Sequence, residues 1–207
     1  MGLLRDYFNQ TRRPEGTLGK MMIRGMNSGH GAMADWGLDH LAIAPPAQIT
    51  DLGCGGGRNA GALLDRYPEA VVTAVDYSPL SVEKTMEYNR SAVDAGRCRV
   101  LEGNVADLPM DEAAYDLATA FETVYFWPGL EKCFMEVCRV LKPGGTFLVV
   151  NESDGTDAAS QKFEKIIDGM KAYTAEEITE ALKAAGFSRV ETDHHPKKPW
   201  IAVTAVK

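Results

Sequence analysis

Glycines are concentrated in the stretch Asp51-Leu52-Gly53-Cys54-Gly55-Gly56-Gly57-Arg58, between an acidic residue and a basic one. The stretch follows a short apolar run and precedes a segment with helical spacing, so it lies between a strand and a helix. Glycine lets the backbone approach a ligand closely, and the first turn of a helix presents free N–H groups. The stretch therefore predicts a ligand site that includes Gly53, Cys54 and Gly55.

The spacing of the glycines separates two classes of nucleotide cofactor. The dinucleotide fingerprint G-x-G-x-x-G requires glycine or alanine where this chain has Arg58. Asp51 stands two residues before Gly53, and a carboxylate there would repel a pyrophosphate but attract the ammonium and sulfonium groups of S-adenosylmethionine (SAM). The charge pattern favours SAM, and a nicotinamide-dependent oxidoreductase is the alternative.

Two further strand ends carry polar residues suited to an adenosine. Asp76 ends the second predicted strand, where a carboxylate can accept both ribose hydroxyls. Asn104 follows the third strand, and its amide can hydrogen-bond the edge of adenine. The predicted cofactor-binding residues are Asp51, Gly53, Cys54, Gly55, Asp76, Tyr77, Ser78, Asn104, Val105, Ala106 and Glu122.

Fewer residues are candidates for contact with a second substrate. Glu122 and Tyr125 follow the fourth strand and are expected to face the cofactor, Glu122 as a base or as a partner of the methionine ammonium. His30, between two glycines, titrates near neutral pH and is a further candidate base. The structural alternatives are helix capping by His30, a capping role for Glu122, and packing of Phe126 and Trp127 at the rim of the sheet. Glu152, after the fifth strand, is expected at the same cleft.

No metal site is expected from the sequence. His194 and His195 stand beside Asp193, but no third and fourth ligand follows at a recognised spacing. Cys54 lies near a helix N-terminus, a position that lowers a thiol pKa, although a small residue that fills the loop is the simpler interpretation. The four cysteines form neither a C-x-x-C pair nor a disulfide framework, which favours a reducing compartment.

The elements that must position these residues alternate between strand and helix patterns. This alternation predicts an α/β fold, Rossmann-like and doubly wound, with a mostly parallel sheet and helices on both faces. The predicted strands are 47–52, 71–76, 98–102, 116–121 and 146–150. A helical stripe over 130–141 ends at Pro143-Gly144-Gly145.

The C-terminal part adds a helix and a hairpin. Thr174 and Glu177 form a capping box, and Gly186 stands where the helix that they begin must end. Segments 188–192 and 200–206 predict two antiparallel strands at the end of an otherwise parallel sheet.

Length and composition limit the functions open to the chain. Its 207 residues predict a single domain, divided into a helical lid (1–45), a SAM-binding half (46–152) and a C-terminal half that completes the sheet (153–207). The net charge of −7 argues against a nucleic-acid partner. No run approaches the roughly 18 apolar residues of a membrane span, and the start lacks the pattern of a signal peptide. We expect a cytoplasmic protein, and the sequence leaves open whether it forms a homodimer.

Four collinear motifs resemble those of the class I SAM-dependent methyltransferases, in the small-molecule branch that includes ubiquinone/menaquinone-biosynthesis-like enzymes. They are the stretches 51–57, 75–78, 103–109 and 139–145. The resemblance covers residues 49–152 and implies a seven-stranded sheet with an antiparallel last strand. It also implies in-line methyl transfer to a small molecule, with S-adenosylhomocysteine (SAH) as the other product. The family often has Asp where this chain has Asn104. A non-catalytic SAM- or nucleoside-binding protein is a second alternative.

Overall fold

One sheet of seven strands forms the centre of the computed structural model, which describes residues 2–207 (of residue 3, the backbone alone). The strands are β1 (Gln48–Leu52), β2 (Val71–Asp76), β3 (Cys98–Glu102), β4 (Tyr115–Phe121), β5 (Leu141–Asn151), β6 (Arg189–His194) and β7 (Ile201–Val206). Their order is β3-β2-β1-β4-β5-β7-β6. β7 is antiparallel to both β5 and β6, whereas the remaining neighbours are parallel. The predicted fold class and the antiparallel last strand are confirmed.

Helices cover both faces of this sheet. They are α1 (Gly2–Asn9), α2 (Gly16–Gly29), α3 (Gly31–Leu38), α4 (Arg58–Arg66), α5 (Pro79–Tyr88), α6 (Arg90–Asp94), α7 (Leu130–Val140), α8 (Ala158–Ile166) and α9 (Ala175–Ala184). Apolar side chains of α7 and α9 form the core on one face, and those of α3 and α4 contribute to the core on the other. The predicted capping box is present at the start of α9, and Gly186 has a φ of +101° after its end.

The junction between α7 and β5 differs from the prediction. The helix ends at Val140, one residue earlier than expected, and the strand begins at once with Leu141. The Pro-Gly-Gly sequence does not separate the two elements but lies inside β5, where the pairing with β4 shifts register between Tyr115 and Leu117. Lys142 precedes a proline and is therefore disfavoured in the helical region, which explains why the helix stops before it.

The predicted N-terminal helical segments are present as α1, α2 and α3, and α3 packs directly on the sheet. Its contact with β5 depends on Gly37, because a methyl group at this position would lie 2.5 Å from Val150 Cγ2 and 2.8 Å from Val150 Cγ1. Such distances are far below van der Waals contact. The absence of a side chain at Gly37 thus sets how closely α3 approaches the sheet.

Gly37→Ala is expected to destabilise the fold by about 1–3 kcal/mol, because the added methyl group forces α3 away from Val150. Gly25→Ala is the matched control, since Gly25 lies in α2 with no atom within 4 Å of the added group. There the same substitution should stabilise the helix by up to about 1 kcal/mol. Urea unfolding of both variants checks the pair. Equal effects of the two substitutions would show that the approach of α3 to the sheet does not limit stability.

Candidate active site

The glycine stretch forms a tight loop between β1 and α4. Gly53, Gly55 and Gly57 have φ values of +78°, +54° and +81°, a region that side-chain-bearing residues rarely adopt. The N–H groups of Gly53 and Cys54 both donate to the Val75 carbonyl on β2, at 2.8 and 3.1 Å. These bonds hold the loop against the end of β2. The positive φ values explain why positions 53, 55 and 57 are glycines.

Asp76 ties the same loop to the end of β2. Its Oδ2 accepts from the Gly55 N–H at 2.9 Å, and its Oδ1 accepts from the Ser78 N–H at 2.9 Å. Burial raises the pKa of this carboxyl above its ordinary value, and the backbone donors oppose the rise. Each oxygen keeps a further lone pair for a ligand hydroxyl. Ser81, nearby on α5, has a buried hydroxyl with no hydrogen-bond partner among the described residues.

A cavity of about 320 Å³ opens in front of this loop. The predicted residues that line it are Gly53, Cys54, Gly55, Asp76, Tyr77, Asn104, Val105, His30 and Glu122. At Asn104, Oδ1 accepts from the Ala106 N–H at 3.0 Å, which leaves the amide N–H groups for a ligand. The structure thus gathers most of the predicted cofactor residues and two of the three candidate catalytic residues around one cavity.

Four predicted residues, Asp51, Ser78, Ala106 and Tyr125, are not among those that line it. Ser78 caps α5, and its hydroxyl donates to the Pro14 carbonyl at 2.9 Å. Asp51 is 1% exposed and accepts from the Thr119 hydroxyl at 2.9 Å. Direct contact of these four residues with a cofactor stays a prediction. In the structure, the hydrogen bonds of Ser78 and Asp51 go to other parts of the protein, and these two residues stabilise the elements that form the cavity wall.

Cys54 corrects one sequence-based expectation. Its side chain lines the cavity, but burial raises the pKa of the thiol well above its ordinary value, and the charges of Asp76 and Asp51 add to the rise. The expected lowering by the helix N-terminus is wrong. Burial and two neighbouring acids outweigh the helix, so Cys54 is a small residue that fills the loop.

His30 and Glu122, which line the cavity, form a cluster with Glu152, which lies beside them and is not among the lining residues. His30 lies at the junction of α2 and α3, Glu122 follows β4, and Glu152 follows β5. His30 Nδ1 is 3.3 Å from Glu152 Oε1 and 3.9 Å from Glu122 Oε2, without the geometry of a hydrogen bond. Burial alone would lower the pKa of His30, but the two carboxylates outweigh it, so the pKa is raised.

Glu122 is held in one orientation by its neighbours. Its Oε1 accepts from the Tyr125 hydroxyl at 3.0 Å and from the Glu152 N–H. Oε2 is the oxygen nearer to His30. Burial raises the pKa of Glu122 to about 7, and the charge of His30 opposes the rise. The backbone has a φ of +56°, a strained value for a glutamate.

The Glu122 carboxyl is suited to proton transfer. A carboxyl with a pKa of about 7 can accept a proton from a substrate and release it under ordinary conditions. Tyr125 itself is buried, and burial together with Glu122 raises its pKa well above the ordinary value. Tyr125 therefore orients Glu122 as a hydrogen-bond donor.

The N-terminal region, which the sequence predicts as a lid, contributes to the cavity wall through five residues that were not among the predicted site residues. Thr11, Arg12 and Pro14 come from the segment between α1 and α2, and Met26 and Asn27 come from α2. The Tyr77 hydroxyl donates to the Arg12 carbonyl, and Asn27 Nδ2 donates to the Gly56 carbonyl at 3.1 Å. No local pattern marks these positions, because they are set by how α1 and α2 dock on the loops.

The histidines weighed for a metal lie elsewhere. Asp193 pairs with His40 at 2.9 Å, and His195 packs against Trp36 and Trp200. The cluster at the cavity is different, since its three potential ligand atoms lie within 4.8 Å of one another. The expectation that the protein has no metal site therefore stays a prediction.

Asp51 gives the stability of the chain a pH dependence that can be measured. Burial raises its pKa from an ordinary 3.8 to about 7, the Thr119 hydrogen bond opposes the rise, and the charge of Asp76 adds to it. The folded state therefore binds this proton more tightly than the unfolded chain, so the stability is present at low pH and is lost as the pH rises from 3.8 towards about 7.

Asp51→Asn keeps an oxygen for Thr119 and removes the charge. We expect the variant to exceed the wild type in free energy of unfolding by up to about 4 kcal/mol at about pH 8, and to match it near pH 4. Urea unfolding at the two pH values measures this. A difference that does not change with pH would contradict the buried-charge explanation.

Comparison with known proteins shows which family the chain resembles. Residues 50–149 match the family model described as a methyltransferase domain. The chain carries a class I SAM-dependent methyltransferase domain. The matched segment runs from β1 into β5 and includes the glycine loop, Asp76, Asn104 and Glu122.

Curated relatives extend the similarity beyond that segment. The chain is 29% identical over 177 residues to 24-methylenesterol C-methyltransferase 3 of Arabidopsis thaliana, covering 79% of this chain and 48% of that protein. It is 27% identical over 161 residues to malonyl-[acyl-carrier protein] O-methyltransferase of Methylococcus capsulatus, covering 76% and 57%. The chain thus spans about half the length of these curated relatives.

Solved structures show the same fold. A chain in the complex that contains the Trm112 methyltransferase activator of Haloferax volcanii aligns with a TM-score of 0.83 at 21% identity, over 97% of both chains. At this identity the likeness concerns the fold alone. Within residues 2–207, the methyltransferase domain has no helix with the length and apolar character to cross a membrane.

Proposed function

We propose that the chain moves the methyl group of SAM to a small-molecule acceptor inside the cavity between the glycine loop and the His30–Glu122–Glu152 cluster. The observation that carries the proposal is that one cavity is lined both by residues suited to an adenosine and by Glu122, whose pKa is about 7, with His30 beside it. The nicotinamide alternative loses support, because Arg58 takes the place of the third glycine and pairs with Asp35 at 2.5 Å.

The residues of the wall fit the cofactor in kind. Asp76 and the unpartnered Ser81 hydroxyl would hold the ribose, and Asn104 with Val105 would face the adenine. The backbone of Gly53 and Gly55 would run along the methionine part. SAM, when bound, supplies a methyl group on an already activated sulfonium.

The work left to the protein is positioning, exclusion of water and, for an acceptor that carries a proton, removal of that proton. Positioning alone can contribute several kcal/mol to the rate. Glu122 is the proposed proton acceptor, with His30 beside it and Tyr125 holding its other oxygen.

A small cavity favours a small acceptor. Its volume of about 320 Å³ is near the lower end for small-molecule sites, and the cofactor shares that space. Residues 1–45 are the proposed lid, because α1 and α2 close one side of the cavity through Arg12 and Asn27. Action in the cytoplasm and a homodimeric state stay predictions.

Calorimetry with SAM, SAH and NAD tests the proposal. We expect SAM and SAH to bind one per chain, NAD not to bind, and Asp76→Ala to weaken SAM binding by about 1–3 kcal/mol, the scale of lost hydrogen bonds to a charged group. Tight NAD binding without SAM binding would overturn the proposed function. Unchanged SAM affinity in Asp76→Ala would remove Asp76 from the site.

A further inference from the structure

The charges at the acceptor end of the cavity do not balance. Glu122 and Glu152 bring two carboxylates, and His30 is the one cationic partner within 4.0 Å of either in the part of the chain that the structure describes. When Glu122, whose pKa is about 7, is ionised, one negative charge is left over even with His30 protonated. An uncompensated charge in a partly buried site is unfavourable unless a ligand supplies its partner.

The arginines that line the same cavity do not supply that partner. Arg12 Nη1 donates to the Asp168 carbonyl at 3.3 Å, and Arg58 Nη2 pairs with Asp35. Both guanidinium groups thus have other partners, and in the part of the chain that the structure describes neither forms an ion pair within 4.0 Å with Glu122 or Glu152. A carboxylate or phosphate on an acceptor would meet two like charges at this end, and the site therefore disfavours anions.

The direction of Glu122 suits a ligand with N–H donors. Because Tyr125 and the Glu152 N–H occupy Oε1, Oε2 is the oxygen left to accept from a molecule in the cavity. Phe121 and Phe126 line the wall next to it, and aromatic faces attract cations within about 6 Å. An ammonium group would be attracted both by the two carboxylates and by the aromatic rings.

We propose that the acceptor is an amine, bound as its ammonium between Glu122 and Glu152 beside His30, so that the chain methylates nitrogen. This inference rests on the methyl transfer proposed above. The ammonium first gives a proton to Glu122 Oε2. The freed nitrogen lone pair then forms a bond to the methyl carbon while the carbon–sulfur bond breaks, and its electron pair stays on sulfur. The products are the methylated ammonium and SAH, and the proton on Glu122 leaves to solvent past His30.

The same carboxylates could instead serve the ammonium of SAM itself. The two roles differ in what the removal of one charge affects. If Glu152 binds the acceptor, Glu152→Gln weakens the binding of amines and spares that of SAH. If it binds the cofactor, the variant weakens SAH binding in the same measure.

Titration of the SAH-saturated protein with matched probes tests the amine site. The sets are benzylamine, benzyl alcohol and benzoate, and ethanolamine, ethylene glycol and glycolate, each run with EDTA and again with Mn²⁺. We expect the amine of at least one set to bind ~10-fold or more tightly than its partners, a difference of about 1.4 kcal/mol. Glu152→Gln should remove this preference while SAH affinity changes by less than about threefold. Glu131→Gln, an exposed position on α7, is the charge-matched control and should leave both unchanged.

Several results would overturn the amine site. They are tighter binding of the alcohol or the acid, binding of the acid only with Mn²⁺, a parallel loss of SAH affinity in Glu152→Gln, or no binding of either amine to a protein that binds SAH. In each of these cases methyl transfer from SAM is still supported. Failure of SAH itself to bind would instead contradict the proposed function.

Discussion

Gly53→Ala is expected to abolish measurable SAM binding and to lower the free energy of unfolding by about 2–5 kcal/mol. A methyl group at Gly53 would lie 2.1 Å from Thr123 Oγ1 and 2.7 Å from Thr123 Cβ. Thr123 cannot easily turn away, because its hydroxyl accepts from Trp127 Nε1 at 3.2 Å. The positive φ of Gly53 adds the ordinary cost of a left-handed residue.

Gly55→Ala is the matched control for this prediction. Gly55 also has a positive φ, but no atom lies within 4 Å of the added group. Gly55→Ala should therefore lower the free energy of unfolding only by the cost of the left-handed conformation, about 1–2 kcal/mol. Thermal and urea unfolding measure both variants, and calorimetry with SAH measures the site. If Gly55→Ala were as unstable as Gly53→Ala, the close approach of Thr123 would not explain the effect.

Glu122→Gln is expected to lower kcat by about 10²–10⁴-fold on the best acceptor, the usual contribution of a positioned base. Gln keeps an oxygen for Tyr125 and the Glu152 N–H, so the fold and SAH affinity should change little. In the wild type the rate should rise with pH through about 7, because burial raises the pKa of Glu122 to about 7 and the ionised form is the base. The variant should lose this step of the profile.

Tyr125→Phe separates orientation from proton transfer. It removes one hydrogen bond to Glu122 and leaves the carboxylate in place, so we expect a loss of roughly 2- to 12-fold, equivalent to 0.5–1.5 kcal/mol. The rise of the rate with pH should persist. An unchanged kcat in Glu122→Gln, or a pH step that survives there, would contradict the role of Glu122 as a base.

The cofactor end of the site was predictable because its geometry is nearly local. Parallel strands end at the same edge of a sheet, so residues that follow β1, β2 and β3 must meet there. Gly53, Asp76 and Asn104 were predicted from this rule together with the glycine spacing and the chemistry of the side chains, and the structure brings all three to one cavity. The antiparallel hairpin was predictable for a similar reason, since a short connection permits little else.

The acceptor end was only partly predictable, because it depends on contacts between distant segments. Glu122 and Glu152 follow neighbouring strands and were expected at one cleft, but their contact with His30 depends on how the first helices dock. Arg12 and Asn27 carry no local signal for the same reason. The pKa of Cys54 could not be inferred from its place near a helix, because burial and nearby acids decide it.

Tyr125 shows a further limit of reasoning from strand ends. The residues after β4 were expected to face the cofactor, but Val124–Phe126 form a single 3₁₀ turn that places Tyr125 in the interior. Only the hydroxyl reaches Glu122. A short turn after a strand is enough to reverse which side chain faces the ligand, and sequence spacing does not resolve it.

A crystal structure of the chain with SAH would show where the adenosine and the sulfur of the cofactor bind. We expect the adenosine to lie between Asp76 and Asn104, with the sulfur turned towards Glu122 and His30. An adenosine bound outside this cavity, or a sulfur that faces away from the His30–Glu122–Glu152 cluster, would contradict this prediction.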